Sequence, residues 1–344
     1  MSEKTPIISI VTPTYNRANE LKDLYKSLQQ QQSVDFGLLE FIISDDGSTD
    51  STQSLVEKWR KESEILIKYI TQNNQGPGAA RNHGLREAKG DLILFIDSDC
   101  EAHPDWIKVI YDEYQKNSFD AFGGPDAAKD DFSLLQKSID FSMTSFFTTG
   151  GMRGHSEKMM AKFFPRTHNM GIKKSIYSKV GGFGNLRHGQ DIEFSNRVRN
   201  SGARIKFLIN AIVYHRRRTS IKQFFKQVFN WGVARVNLGK IDPEMLEKIH
   251  FLPAIAILMI ATCFGFFLLF ELPLLQFFLI FFMPLIFLAI IGSINKKDIR
   301  IFPYLLVVIP AQIIGYGTGF IQAFIRRFLF RQEEITGFKK NYYK

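Results

Sequence analysis

Between residues 251 and 325 the chain carries three long stretches without a charged side chain: 20 residues at 251–270, 23 at 272–294 and 25 at 301–325. A helix of about 20 apolar residues crosses the ~30 Å hydrocarbon core of a bilayer, whereas core helices of soluble proteins seldom run past about 14. Three in succession are therefore read as membrane segments. The N-terminus offers only the short apolar run Ile7–Val11, too short for a signal peptide. Residues 1 to about 215 are expected to stay in the cytosol, against the cell (inner) membrane. The first two runs are joined at Glu271-Leu272-Pro273 and are followed by Lys296, Lys297 and Arg300, as the positive-inside rule asks. A third full crossing would put Arg326, Arg327, Arg331, Lys339, Lys340 and Lys344 outside. Pro303, Pro310, Gly315, Gly317 and Gly319 also interrupt that run. The expectation is thus a re-entrant or interfacial helical hairpin over 301–325, with an ordinary third span as the alternative.

The soluble part alternates short apolar runs with helical patterns. Ile7–Thr12, Glu40–Ser44, Ile65–Ile70 and Leu92–Ile96 read as strands, with helices behind them near 50–62, 78–88 and 104–116. Leu21, Leu24, Tyr25 and Leu28 fall at i, i+3, i+4 and i+7 on the first helix. Strand-helix alternation of this kind predicts an α/β fold with a mostly parallel, Rossmann-like sheet, whose ligands bind at the carboxyl ends of the strands. The polar clusters sit at those ends: Pro13-Thr14-Tyr15-Asn16-Arg17, Asp45-Asp46-Gly47-Ser48 and Asp97-Ser98-Asp99.

Asp97 and Asp99 leave the apolar run Leu-Ile-Leu-Phe-Ile as two hard oxygen ligands one residue apart, suited to Mg²⁺ or Mn²⁺ bridging to a diphosphate. Such a triplet arises often by chance, so its weight comes from its place at a strand end. Asp45-Asp46-Gly47-Ser48 fits a tight turn and helix cap equally well as a ribose or base contact. Gly76-Pro77-Gly78-Ala79-Ala80-Arg81-Asn82 is a glycine-punctuated helix start carrying an arginine, suited to an anion.

In order, ProThrTyrAsnArg, AspAspGlySerThrAsp, GlyAlaAlaArgAsn, a strand ending in AspSerAsp, then GlyGlyPhe with GlnAsp after it and a later histidine resemble the family 2 inverting glycosyltransferases of GT-A fold. The likeness covers roughly residues 7–218. It implies that Pro13, Tyr15, Asp46, Arg81, Asp97 and Ser98 serve a nucleotide-sugar donor, with Asp46 and Arg81 on the nucleoside. It further implies that Asp97, Asp99 and His215 serve the metal, and that Asp191 is the catalytic base. Glu193 is the rival for that role. Gln190 stands where the family more often has Glu.

Residues 125–168 are expected to form the acceptor side, with His168-Asn169-Met170-Gly171 at its border. From Phe194 to Ile241 the chain holds eleven Lys or Arg and no acid, which accounts for the net charge of +10. Within that stretch Ile221, Phe224, Phe225, Val228 and Trp231 recur at helical spacing, the pattern of an amphipathic helix in a membrane interface, attracted to anionic lipids. Gln227-Val228-Phe229-Asn230-Trp231 resembles the Gln-x-x-Arg-Trp signature of processive synthases, with Asn in place of Arg. The division expected is a GT-A domain at 1–218, a basic interfacial segment at 219–250, membrane segments at 251–325 and a basic tail at 326–344. The function implied is a membrane-anchored transferase in cell-surface glycan biosynthesis. Its acceptor, polyprenyl-phosphate-linked or another glycolipid, would be held on the side of Asn169, Gln190, Arg216 and Trp231. A processive polysaccharide synthase and a non-catalytic scaffold that kept the fold are the other readings. Nucleic acid is not expected as a partner, because it explains the charge but not the apolar runs.

Overall fold

The computed structural model describes residues 7–129, 131–149, 162–334 and 336–338. Part of the expected acceptor side, residues 150–161, lies outside them, as do Lys339, Lys340 and Lys344 of the tail. The chain runs through β1 (Ile8–Thr14), α1 (Ala18–Gln29), β2 (Leu39–Asp45), α2 (Thr52–Glu62), β3 (Leu66–Thr71), α3 (Pro77–Glu87), β4 (Leu92–Phe95), β5 (Cys100–Ala102) and α4 (Trp106–Gln115). It continues with β6 (Ala121–Gly123), β7 (Asp126–Ala127), α5 (Leu134–Thr144), α6 (Phe146–Thr149), β8 (Met170–Lys173), α7 (Lys174–Val180), α8 (Gln190–Asn200), β9 (Ile205–Phe207) and β10 (Val213–His215). Four long helices end the described chain: α9 (Ile221–Ile241), α10 (Leu252–Leu269), α11 (Leu274–Asn295) and α12 (Phe302–Phe324).

The main sheet has the order β3-β2-β1-β4-β8-β6-β9, parallel across its first four strands and antiparallel on both sides of β8. Every residue of β1, β2 and β4 is buried, as expected of parallel strands covered on both faces. Ile8, Ile10, Phe41 and Leu94 face α1, α2 and α4, meeting Leu21, Leu24, Leu28, Trp59 and Trp106. Their neighbours Val11, Ile42, Ile93 and Phe95 face the other way, toward Leu85 of α3 and Phe194 and Val198 of α8. A second sheet, β5-β10-β7, stands at the carboxyl end of the first and pairs His215 with Cys100. The four strands read from the periodicity thus form within a residue or two of their expected limits.

The 301–325 run departs from expectation. It forms one helix, α12, prolonged by a π-helical turn at Ile325–Leu329, and not a hairpin. Pro303 sits in the first turn, where its missing N–H has no partner to lose. The glycines are points of close packing. A Cβ at Gly319 would collide with the Phe229 carbonyl, one at Gly315 would lie 2.5 Å from Val228, and one at Gly317 would lie 2.7 Å from the Pro253 carbonyl. Glycine at these positions lets α9 and α10 lie against α12 with backbones nearly touching. The apolar side of α9 accordingly faces protein: Phe224 and Val228 pack with Val308 and Tyr316, and Val233 and Val236 with Phe320 and Ala323.

Three helical segments are long and apolar enough to cross a membrane. Of their most apolar windows, 11% is buried within the protein for each of the segments containing α10 and α11, but 39% for that containing α12. Helix α12 is therefore packed against protein more than α10 and α11 are. Its first turns meet Phe141 of α5, and the segment beyond it returns to α9, where Phe338 and the Asn230 side chain exchange two hydrogen bonds of 2.7 and 3.1 Å.

Candidate active site

The loops after β1, β2 and β4 converge at the rim of the main sheet. Asn16, at φ 51°, ties the first two: its side chain accepts from the Thr49 N–H at 2.7 Å, and its own N–H donates to Ser48 Oγ at 2.8 Å. Asp46 is buried and accepts from the Gln75 and Gly76 N–H groups at 2.9 and 2.7 Å and from Gln72 at 2.8 Å. Its carboxylate therefore holds the loop that opens α3, at Gly76 with φ 95°. Arg81, on that helix, donates to Asp97 at 2.6 Å, while Arg17 donates to Asp99 at 2.5 Å. Arg81 is thus paired with the first acid of the Asp97-Ser98-Asp99 triplet.

The small sheet brings the histidine to these acids. His215 Nε2 lies 3.5 Å from Asp99 and Nδ1 3.7 Å from Asp126, and its ring stacks on His168 with centroids 5.2 Å apart. Burial works against the imidazolium, but Asp99 and Asp126 hold its pKa up to about 9. Burial likewise opposes the Asp99 carboxylate, and His215 and Arg17 still keep it well below the usual range. Asp99, Cys100 and His215 set one ligand atom each within 4.8 Å of one another. Burial and the surrounding acids push the Cys100 thiol well up, so it stays protonated and is a poor ligand. Carboxylate oxygen with imidazole nitrogen fits Mn²⁺ or Mg²⁺. Asp126, 3.7 Å from the buried His215 Nδ1, stands where a carboxylate fixes the tautomer of a ligating histidine. Behind it the charges continue: Arg217 pairs with Asp126 at 2.5 Å and Asp140 at 2.7 Å, and Asp140 with Lys296, just past α11, at 2.5 Å.

Asp191 occupies the first turn of α8, behind Gly189 at φ 83°, with Arg166 at 3.4 Å. Burial opposes its charge, but Arg166 and Arg81 hold its pKa below the ordinary value. Glu193 is clasped by Arg197 at 2.6 and 2.9 Å and does not line the pocket.

One pocket of about 380 Å³ collects these groups. Pro13, Tyr15, Asp46, Arg81, Asp97, Ser98, Asp99, Gln190, Asp191, His215 and Trp231 all line it, as does His168. Asn169 and Arg216 do not. Asn169 is buried and structural, accepting from Trp106 at 3.0 Å and donating to the Pro125 and Ala211 carbonyls at 2.9 and 2.7 Å. Arg216 alternates outward along the strand and pairs with Asp23 at 2.7 Å, leaving Arg218 in the lining. Arg17 and Asp126 were not singled out, although Asp126 shares the strand-end signal of Asp97. Arg166, Arg235, His250 and Tyr316 carry no such signal and reach the pocket only by tertiary packing.

The model of the family described as glycosyl transferase family 2 matches residues 9–181. The chain belongs to that family. This family 2 glycosyltransferase has the GT-A fold of the mannosyltransferase PcManGT from Pyrobaculum calidifontis, solved with GDP-Man and Mn²⁺, at a TM-score of 0.64 and 16% identity over 90% of this chain and 88% of that one. It is 24% identical to glycosyltransferase AglE of Haloferax volcanii, over 72% of this chain and 79% of the relative. It is also 34% identical to the GalNAc(5)-diNAcBac-PP-undecaprenol beta-1,3-glucosyltransferase of Campylobacter jejuni, over 50% of this chain and 53% of that protein.

Proposed function

We propose that this glycosyltransferase is a metal-dependent inverting enzyme that moves one sugar from a nucleotide-sugar to a hydroxyl of a lipid-linked acceptor, in cell-surface glycan biosynthesis. The observation that carries this reading is the single pocket lined both by the strand-end acids and Asp191 and by Trp231, Pro253 and Tyr316 of the membrane-side helices. Inversion is one displacement at the anomeric carbon. Asp191, held ionised beside Arg166, takes the acceptor proton as the oxygen attacks. Asp97, Asp99 and His215 would hold the divalent cation, which when bound offsets the charge gathering on the departing diphosphate. Arg17 and Arg81 stand on those same acids, within the pocket, where a phosphate can draw them. The names of two relatives support the donor, the ion and the acceptor: one holds GDP-Man and Mn²⁺, and the other carries an undecaprenol diphosphate acceptor.

In this reading residues 1–218 are the catalytic unit on the cytosolic side of the inner membrane, and α10 and α11 cross as a hairpin. Helix α12 lies at the surface under the active site. Lys222, Lys226 and Lys240 are exposed on α9 and supply attraction to anionic headgroups. In a processive synthase the motif position held here by Asn230 is Arg, and this Asn is occupied by Phe338.

The test is a panel of nucleotide-sugars scored for hydrolysis and thermal stabilisation of the full chain. One donor should act only with Mg²⁺ or Mn²⁺, and Asp99→Asn should abolish the response. Full turnover in excess EDTA would remove the metal assignment.

A further inference from the structure

Arg235 of α9 lines the pocket although only 8% of it is exposed. It donates to the Met245 carbonyl at 3.0 Å, and among the described residues no carboxylate lies within ion-pairing distance. Its charged surroundings are Arg166, Glu247 and Asp191, and burial pulls its pKa down. Beside it Tyr316 of α12 turns its buried hydroxyl toward the Arg235 guanidinium, which leaves its proton free to donate. His250, also buried and in the lining, accepts the Glu247 N–H on Nδ1 at 2.9 Å, which leaves Nε2 to carry the proton of the neutral ring as a donor. Arg166, which touches Asp191, joins the group from the other side.

Four donors thus gather beside Asp191, with Glu247 the other acid near Arg235 and no carboxylate among the described residues in ion-pairing distance of it. A buried guanidinium without a counter-ion is costly, and an anion entering the pocket removes that cost. The metal-side acids repel such an anion from their own end, and the wall around Arg235 is built from α9, α10 and α12, with Pro253 and Ile313 as its apolar members. A planar guanidinium in a pocket that also takes Pro253 from α10 and Ile313 from α12 into its lining is the chemistry of a phosphate ester with a hydrocarbon tail.

We propose that Arg235, with Arg166, His250 and Tyr316, binds the phosphate of a lipid-linked acceptor and so sets the acceptor hydroxyl against Asp191, while Pro253 and Ile313 flank the start of the lipid chain. This rests on the proposed reading of Asp191 as the base and of the acceptor as membrane-bound.

The test uses the full chain in nanodiscs with EDTA, and three probes: farnesyl diphosphate, farnesol and inorganic pyrophosphate. Binding is followed by tryptophan fluorescence, since Trp231 lines the pocket. Farnesyl diphosphate should bind more tightly than either other probe. Arg235→Gln should weaken it by about ten- to a hundredfold, the worth of a charged hydrogen bond, and Arg235→Lys should recover part of the loss. The rise in melting temperature with Mn²⁺ and the nucleotide-sugar reports that each variant is folded. Should Arg235→Gln fail that check, Tyr316→Phe decides, because it removes one hydroxyl and should weaken farnesyl diphosphate severalfold while leaving farnesol unchanged. Equal binding by the wild type and the variant, or farnesol binding as tightly as its diphosphate, overturns the site. Pyrophosphate binding as tightly as farnesyl diphosphate, with the same dependence on Arg235, overturns the lipid source in favour of free phosphate. Loss of every nucleotide-sugar response in the wild type, with farnesyl diphosphate binding intact, would sink the donor reading and leave this one standing.

Discussion

At the level of single residues the two acids of α8 separate by environment. Asp191 faces the pocket and Glu193 is closed in a fork by Arg197. Asp191→Asn should therefore keep donor binding and slow transfer by about 10²- to 10⁴-fold, the worth of a positioned base. Glu193→Gln should leave transfer nearly intact and lower thermal stability instead. Rate measurements on the two variants check both. The depressed Asp191 pKa has a sign: the base works only ionised, so activity is retained above the lowered value and lost as pH falls through it. Arg166→Gln removes the nearest cation and should move that acid limb to higher pH in a kcat/KM profile. Asp97, Asp99, Asp191 and His215 all line the pocket; the place of Asp97 and Asp99 at a strand end could be read from the apolar run before them, while Asp191 and His215 were picked out by the family resemblance. Asn169 and Arg216 were misplaced because side-chain direction at the end of a short strand depends on a register that no spacing encodes. His215 ends β10 and lines the pocket, whereas just past the strand Arg216 turns out to Asp23, Arg217 turns in to Asp126 and Asp140, and Arg218 returns to the lining.

Among the elements, the parallel strands could be read because burial on both faces makes them continuous apolar runs. The C-terminal helices could not be read as fully, because proline and glycine have two uses. In α12 both were taken for breaks, but Pro303 opens the helix, Pro310 lies within it, and Gly315, Gly317 and Gly319 are contacts. Gly232 shows the same device from the opposite helix, since a Cβ there would collide with the Tyr316 carbonyl. The obstacle is backbone, which yields poorly, so Gly232→Ala should cost about 1–3 kcal/mol by overpacking. Gly265→Ala on α10, where a Cβ meets nothing within 4 Å, should cost none. Thermal denaturation of the two proteins in the same lipid makes the comparison. The amphipathic spacing of α9 was correct as a helix, but the surface it seeks is α12, and a hydrophobic stripe alone does not say whether lipid or protein covers it.

On the scale of the whole molecule, the charges of the tail led to the expectation of a hairpin over 301–325, and α12 is one helix instead. Phe338 is bonded to Asn230, and Glu334 accepts the Arg187 N–H at 3.1 Å, so the end of the described chain lies against the catalytic domain. A reporter fused after Lys344 should be active on the same side as one fused at the N-terminus; activity on opposite sides would mean three crossings and an α12 torn from α9. The arrangement also sets a clock. The pocket joins Tyr15 to Tyr316, roughly 300 positions apart, and a ribosome adding about 5–20 residues per second needs some 15–60 s to cover that distance. During that interval the nascent sheet, with its acids already in place, has no wall on the membrane side. In the proposed membrane reading, competence for transfer therefore arrives late, after α10 and α11 have been inserted, which couples the birth of activity to successful membrane insertion.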